Sequence, residues 1–571
     1  MKKRIYQTPD LEALVANGGY YVDKTHFIPL IENFANPNLF FLRPRRFGKS
    51  MLLSVLELYY GIEHGGKFEE IFGQYYIGKP ENTTPLKNSF HVIKFNFSGI
   101  RTESSVDIER EFCVELSTKI ANFLSTYNIG STSEREILLS SQSGTELLRR
   151  FFSLFKREMP SGKIYLLIDE YDHFTNELFS FDRDSFKEFV STNGWVRKFY
   201  EVIKQYNGEG VIDRFFATGV TPVTLDSMTS GFNIARDITL DNSFHEMAGF
   251  TESELKTLIL NTLNGDGAYD IDTLLEDMRL WYNGSKFSRN EAERIYNPQL
   301  VLNFLISFQN SWRYPEEITD NNVTSDWKKI KDIVYRLPKA EADALIEEVY
   351  INESIKGNLI TRFNPELTYT KSDAISILFY NGLLTIDSEK YGIIKYVIPN
   401  YVIKNVYWEF LRAVYELELN LQIDLTGKTE IFEEMAEKGE INNLVKETQR
   451  ILTLLTNNDF QNFRESNLKM VVITLLSLNK SYIIHSEYEV EKGRVDILLT
   501  KREPFGGKYQ FLLEFKYVKV QDEKEYEKRK TEGINQLKKY LASDKIRSLQ
   551  NLKSYLVIFH QKSEGEIVRV A

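Results

Sequence analysis

Only one cysteine, Cys113, occurs in the 571 residues of the chain. A lone thiol forms no disulfide within the chain, and a cysteine-ligated zinc site is excluded. Both absences fit a reducing, cytoplasmic compartment. Cys113 sits among Phe112, Val114 and Leu116 in a helical pattern, which predicts a buried bystander and not a nucleophile. No run approaches the ~18 apolar residues that a spanning helix needs, so no membrane partner is expected. The basic start Met1-Lys2-Lys3-Arg4 is followed by a mostly polar stretch from Tyr6 to Glu12, without the apolar core of a signal peptide. No internal repeat is found. Positive charge is also short: the net charge of −10 offers no global attraction to nucleic acid, so any such binding needs a local basic surface.

What is present is ordinary globular material, 42% hydrophobic and 27% charged. At about 100–200 residues per domain, the length predicts three or four modules. Residues 1–250 alternate short apolar strands, Asn38–Leu42, His91–Phe97, Ile164–Ile168 and Phe215–Thr218, with helical patterns at Met51–Tyr60, Val106–Ser125 and Gly144–Glu158. This is the rhythm of an α/β fold with a parallel sheet and crossover helices. Residues 251–410 read as mostly helical. Thr251-Glu252-Ser253-Glu254 has capping-box chemistry, and Lys371–Ile403 reads as a helix, a turn and a short hairpin, a possible winged-helix unit with its β-like part at Gly382–Pro399. Residues 411–460 form a charge-rich helical connector. Residues 461–571 run helix (Glu465–Asn479), β-like stretch (Ile484–Thr500), Gly506-Gly507 turn, β-like stretch (Tyr509–Val520), helix (Glu527–Leu541) and final strand (Ser554–His560).

Phe40-Phe41-Leu42-Arg43-Pro44-Arg45-Arg46-Phe47-Gly48-Lys49-Ser50 leads from an apolar strand through a loop into a helix. Gly48-Lys49-Ser50 is the end of a Walker A loop. Its glycine lets backbone N–H groups close around phosphate oxygens, its lysine reaches the β- and γ-phosphates, and its serine hydroxyl binds Mg²⁺. Arg46 and Phe47 complete the nucleotide-binding loop. Arg43 stands where the general pattern has its first glycine. Downstream, Lys163–Asp172 is a buried strand ending in carboxylates. Asp169 suits the Mg²⁺ shell and Glu170 suits the orientation or activation of the attacking water. A third strand, Arg214–Pro222, ends at Thr218, the best sensor for the γ-phosphate. Arg236 is an arginine-finger candidate, against the commoner role of an arginine on a solvated helix.

These pieces, with Tyr21-Val22-Asp23-Lys24-Thr25 and Trp281-Tyr282-Asn283-Gly284, resemble the AAA-ATPase-like family common in bacteria and found fused to nuclease-superfamily domains. The arginine-rich loop in place of the first glycine is typical of that family. The resemblance covers about the first 300 residues and implies a P-loop (RecA/AAA-like) ATPase domain. Asp23-Lys24-Thr25 reads equally as a structural turn or a nucleotide contact, and Trp281–Gly284 as packing in a helical lid.

Near the C-terminus, Gly493-Arg494-Val495-Asp496-Ile497-Leu498-Leu499 places an aspartate in an apolar strand. In Phe511-Leu512-Leu513-Glu514-Phe515-Lys516, Glu514 and Lys516 share a face by the period of two. Burying these charges is costly unless they pair or bind a metal. Two carboxylates beside a lysine can hold Mg²⁺ and position a water to attack phosphorus. A structural ion pair in a hairpin is the alternative. The arrangement resembles the PD-(D/E)XK nuclease superfamily over about the last 110 residues, with Val495 in place of the proline of its name. The resemblance implies a restriction-endonuclease-like α/β fold. It makes Asp496 the metal aspartate, Glu514 and Lys516 the E-x-K pair, Glu465 the acid of the preceding helix, and Gln536 and Tyr540 the motif of the following helix, on the nucleic-acid side. Between Lys524 and Lys553 nine Lys or Arg face four acids, a local basic bias suited to phosphate contacts or to a solvated helix face.

The sequence is therefore expected to encode an ATP-hydrolysing protein coupled to a metal-dependent nuclease acting on DNA. ATP and Mg²⁺ are the expected cofactors, DNA the expected partner and a homo-oligomer a possible assembly. The runner-up is a signalling or scaffold ATPase whose C-terminal domain binds nucleic acid or protein without cutting. A nucleotide switch with negligible hydrolysis is third. Glu170 argues against the third, and Asp496, Glu514 and Lys516 argue against the second.

Overall fold

The computed structural model describes residues 3–101, 105–141, 143–173, 175–176, 194–223, 232–263, 269–319, 327–363, 367–419, 428–454, 464–519, 525–560 and 565–570. The chain divides into two compact units. One comprises Met1–Ile306, Asp332–Val349 and Glu353–Tyr401, and the other Ser307–Lys331, Tyr350–Asn352 and Val402–Ala571. No helix among the described residues is long and apolar enough to cross a membrane.

The first unit is built on five strands, β1 (Asn38–Leu42), β2 (His91–Asn96), β3 (Ile164–Asp169), β4 (Ile212–Gly219) and β5 (Arg236–Asp237), in the order β2-β3-β4-β1-β5. All neighbours pair in parallel. β1 and β3 are buried at every position, which requires both faces of the sheet to be covered. The helices Lys49–Tyr60, Ser105–Thr126, Gly144–Glu158 and Trp195–Gly208 lie between the strands in sequence. Gly144–Glu158 shows why they pack: Leu147, Leu148, Phe151, Phe152 and Phe155 recur at helical spacing and are all buried. Each such side chain contributes about 1.5–3 kcal/mol. The order matters for chemistry, because it sets β4 between β1 and β3. The end of β4 thus lies between the phosphate loop and the carboxylates that end β3.

Two local readings need correction. Cys113 is half-buried, not fully buried, and burial pushes its thiol further from the reactive thiolate. Arg236 lies exposed on the two-residue edge strand β5, not on a solvated helix.

Further along the same unit, helix Glu252–Thr262 starts with the expected capping box. Glu254 N–H donates to Thr251 Oγ1 at 3.2 Å, and Thr251 N–H donates to Glu254 Oε2 at 2.8 Å. Trp281 and Tyr282 end helix Ile271–Tyr282 and are both buried. Gly284 follows at φ +120°, where a Cβ would come within 1.9 Å of the Pro399 carbonyl oxygen, so only glycine fits. Helix Lys371–Tyr380 leads into β7 (Thr385–Lys390) and β8 (Ile393–Val397), as the hairpin reading expected. An unanticipated strand, β6 (Ser354–Gly357), pairs with β8 and completes an antiparallel sheet in the order β6-β8-β7.

The second unit holds a mixed sheet in the order β13-β12-β11-β10-β9. Its strands are β9 (Tyr482–Val490), β10 (Gly493–Lys501), β11 (Gln510–Val518), β12 (Leu552–His560) and β13 (Glu566–Val570). Only β11 and β12 pair in parallel. The β-like stretch Ile484–Thr500 is therefore two strands, and β13, not β12, is the last. Helix Tyr526–Leu541 connects β11 to β12 and sets Leu537 and Tyr540 in a core with Leu498, Leu512 and Leu556. By strand alternation, Asp496, Glu514 and Lys516 fall on the same face as Leu498 and Leu512.

Candidate functional site

The phosphate loop ends at Gly48, which takes φ +88° and caps helix Lys49–Tyr60. That conformation favours glycine and leaves the first N–H groups of the helix free of intrahelical acceptors. Lys49 is buried, and its Nζ donates to the carbonyls of Arg43 (2.9 Å) and Pro44 (3.0 Å). Burial pulls its pKa down, against the opposing pull of Asp169 and Glu170. Ser50 Oγ donates to Asp169 Oδ2 at 2.6 Å, and Thr218 Oγ1 donates to Asp169 Oδ1 at 2.7 Å. Asp169 thus gathers the phosphate loop, the end of β3 and the end of β4 at one point. Glu170 adopts φ +51°, a strained conformation for a non-glycine residue. His173 Nδ1 lies 3.3 Å from its carboxylate and is the main cause of its lowered pKa, which keeps it ionised.

Arg43 does something other than meet phosphate. It is buried between the rings of Phe41 and Phe287, whose centroids lie 4.3 and 4.4 Å from its Cζ. Its Nη1 donates to the carbonyls of Leu42 (2.9 Å) and Thr239 (2.8 Å), and its Nη2 to those of Phe244 (2.9 Å) and His245 (3.2 Å). Burial pulls its pKa down to about 9. Where the general motif has glycine, this chain has a cation that fastens the loop to the segment beyond β5. Asp172, whose role the sequence did not suggest, is also buried. It accepts Thr221 N–H at 2.6 Å and Val220 N–H at 3.1 Å, which ties the end of β3 to the end of β4.

A cavity of about 590 Å³ adjoins the loop, lined by Arg45–Leu52 and Glu170 on one side and by Tyr6–Pro9 and Tyr20–Val22 on another. Asp23 and Thr25 are structural. Thr25 N–H and Oγ1 donate to Asp23 Oδ1 at 2.9 and 2.7 Å, and Tyr76 N–H donates to Asp23 Oδ2 at 2.7 Å. Lys24 lines the cavity and is paired with Glu254 at 2.6 Å.

In the second unit, Asp496, Glu514, Lys516 and Glu465 come together. Lys516 Nζ lies 3.0 Å from Glu514 Oε1 and 3.4 Å from Glu465 Oε1. Asp496 Oδ2 accepts Phe515 N–H at 2.8 Å, which locks β10 onto β11 at the cluster. Glu514 is 2% exposed, and its Oε2 has no hydrogen-bond partner among the described residues. Burial, reinforced by the charge of Asp496, pushes the Glu514 carboxyl up to about 8. Burial also lowers Lys516, but Glu514, Glu465 and Asp496 outweigh it and raise the net value.

Gln536 lines a polar cleft of about 240 Å³ with the acids Glu465, Glu525 and Glu532 and the bases Lys516, Lys528 and Arg529. Its Oε1 is buried without a partner among the described residues. Tyr540 does not line this cleft. Its ring is 5% exposed and packs where a Cβ on Gly493 would sit. Two residues of the cluster escaped the sequence reading. Lys469 Nζ lies 3.1 Å from Asp496 Oδ1 and also pairs with Glu487. The available signal was Lys469 standing four residues after Glu465, on the same helical face.

Residues 6–229 match the family described as Predicted AAA-ATPase, and residues 463–568 match the family described as PD-(D/E)XK nuclease superfamily. A protein of Azotobacter chroococcum mcd 1, described as "Uncharacterized protein in vnfD 5'region", is 27% identical over 294 residues. The match covers 51% of this chain and 48% of that relative, so the chain spans about half the length of the relative it matches. The chain joins an AAA-ATPase-like domain to a C-terminal domain of the PD-(D/E)XK nuclease superfamily.

Proposed function

We propose that the chain binds and hydrolyses ATP in its first unit and cleaves DNA with a metal-dependent nuclease in its second. In the first unit, the N–H groups around Arg46–Lys49 and the Lys49 ammonium bind the phosphates. The Ser50 hydroxyl and Asp169 carboxylate, in contact with each other, are hard oxygen donors of the kind Mg²⁺ takes. Glu170, held ionised beside His173, orients the attacking water and accepts its proton. Thr218 Oγ1 keeps Asp169 in position from the neighbouring strand.

The observation that carries the nuclease reading is Glu514: a buried carboxylate with one oxygen unpartnered among the described residues, beside Asp496 and Lys516. A carboxylate pushed up to about 8 is one whose charge lacks compensation. A divalent cation supplies that compensation, so the residues fit the group. Asp496 and Glu514 would hold it, and when bound it polarises the phosphate and lowers the pKa of a water. Among the described residues no three His, Cys, Asp or Glu side chains form a metal cluster by themselves. Asp496 and Glu514 would be the carboxylate donors of the chain, and a cation such as Mg²⁺ would keep several waters beside so few protein ligands. Lys516 steadies the charge that develops on the phosphate, and Glu465 holds the Lys516 ammonium toward the cleft. Gln536, Lys528 and Arg529 line the cleft and would meet the DNA backbone there, while Tyr540 packs against Gly493 of β10.

The test is incubation of the purified chain with plasmid and single-stranded DNA, with and without ATP and divalent metal. Metal-dependent cleavage lost in Glu514→Gln supports the reading. Saturable DNA binding without cleavage under every condition favours the alternative, a C-terminal domain that binds without cutting.

A further inference from the structure

Lys469 belongs to none of the motifs that mark either domain. It sits on helix Glu465–Leu476, one turn beyond Glu465. Its Nζ is 3.1 Å from Asp496 Oδ1 and bonded to the Glu487 carboxylate. Glu487 occupies an irregular point of β9. The register pairs Val495 with Tyr488 and Ile497 with Ser486, and it passes over Glu487 opposite Asp496. Glu487 there takes φ +49°. A left-handed non-glycine residue inside a strand persists only where its surroundings hold it. Here the Glu487 carboxylate bonds the Lys469 ammonium. The two metal-site carboxylates are therefore treated unequally. Asp496 has a lysine on one oxygen and the Phe515 N–H on the other, whereas Glu514 keeps one oxygen without a partner among the described residues.

We infer that Lys469 is a tethered counter-cation that competes with the divalent metal for Asp496, and that Glu487 is the carboxylate onto which its ammonium withdraws when the metal binds. The inference rests on the proposed role of Asp496 and Glu514 as the metal's ligands. An ammonium in contact with Asp496 compensates that charge while the metal is absent. Once a dication takes the same carboxylate, the two cations repel each other across a largely buried site. Glu487 already bonds Lys469, so the ammonium needs only to give up Asp496. Lys469 thereby sets the metal concentration at which the site loads, as a positioning residue and not as a group that touches substrate.

The experiment is calorimetric titration of the full-length, nucleotide-free protein with Mn²⁺, with the heat shown by Asp496→Asn taken as baseline. Lys469→Met keeps the length of the stem and removes the charge. It binds Mn²⁺ more tightly by roughly 10–100-fold, the scale on which groups just outside the ligands alter metal affinity. Lys469→Gln shifts the same way, Lys469→Arg stays near wild type, and Glu487→Gln binds more weakly because the ammonium has lost its second carboxylate. Thermal melts of each variant confirm a folded protein. If both neutral variants bind Mn²⁺ no better than wild type while Asp496→Asn still removes the binding, the metal site stands and the competition by Lys469 is overturned. If Asp496→Asn leaves Mn²⁺ binding unchanged, the metal assignment itself fails and takes the inference with it.

Discussion

Arg43 shows how a single residue can be visible in a sequence while its work is not. Its position in the loop suggests phosphate, but its guanidinium is spent on four backbone carbonyls and two aromatic faces. Arg43→Gly would restore the general motif and orphan those buried acceptors. It is expected to cost about 3 kcal/mol or more in stability, read from chemical denaturation, and a variant as stable as wild type would contradict this account of Arg43. Lys49→Ala, in contrast, should leave the fold intact and abolish most ATP affinity in a direct binding assay. Glu170→Gln should retain ATP and stop turnover, because the amide keeps the shape and loses the proton acceptor. Normal hydrolysis by that variant would remove Glu170 from the reaction. Gly48, Lys49, Ser50, Asp169 and Glu170 stand out in the sequence because they lie in short contiguous motifs. Lys469 and Glu487 do not, since what matters about them is a contact between a helix and an irregular strand, and no local pattern encodes it.

At the scale of elements, the legible features were those with strong periodicity or a local cap. Helix Gly144–Glu158 was expected at its observed ends, and so was β1. β6 and β13 were missed because each is a short strand completed by pairing with a partner already in place. The segment from β5 to His245 was unreadable for another reason: three of its carbonyls accept from Arg43, a contact that no local pattern encodes. His245 is buried there, with Nε2 3.0 Å from the Glu293 carbonyl oxygen. Burial, aided by the nearby Arg43 cation, lowers its pKa from 6.5 to about 4. Between those values the unfolded chain binds a proton that the folded chain refuses, so this contribution is present above pH 6.5 and is lost as pH falls toward 4. The melting temperature of the first unit is therefore expected to drop across that window. His245→Gln should show a shallower drop, and an unchanged slope would mean that His245 is not the group responsible.

On the scale of the whole molecule, the two proposed chemistries, both on phosphorus, fall in two compact units, each with its own five-stranded sheet and its own buried carboxylates. In the first, β4 brings Thr218 between the phosphate loop and Asp169. In the second, β10 and β11 bring Asp496 against Glu514 and Lys516. The two candidate sites share no residue, so the two proposed activities should separate by mutation. The most direct test measures ATP turnover and metal-dependent DNA cleavage in parallel, on the full-length chain, for wild type, Asp496→Ala and Lys516→Ala. The account predicts that both variants lose cleavage, Lys516→Ala by roughly 10²–10³-fold, while ATP turnover stays near wild type. Metal-dependent cleavage that survives both substitutions would contradict it.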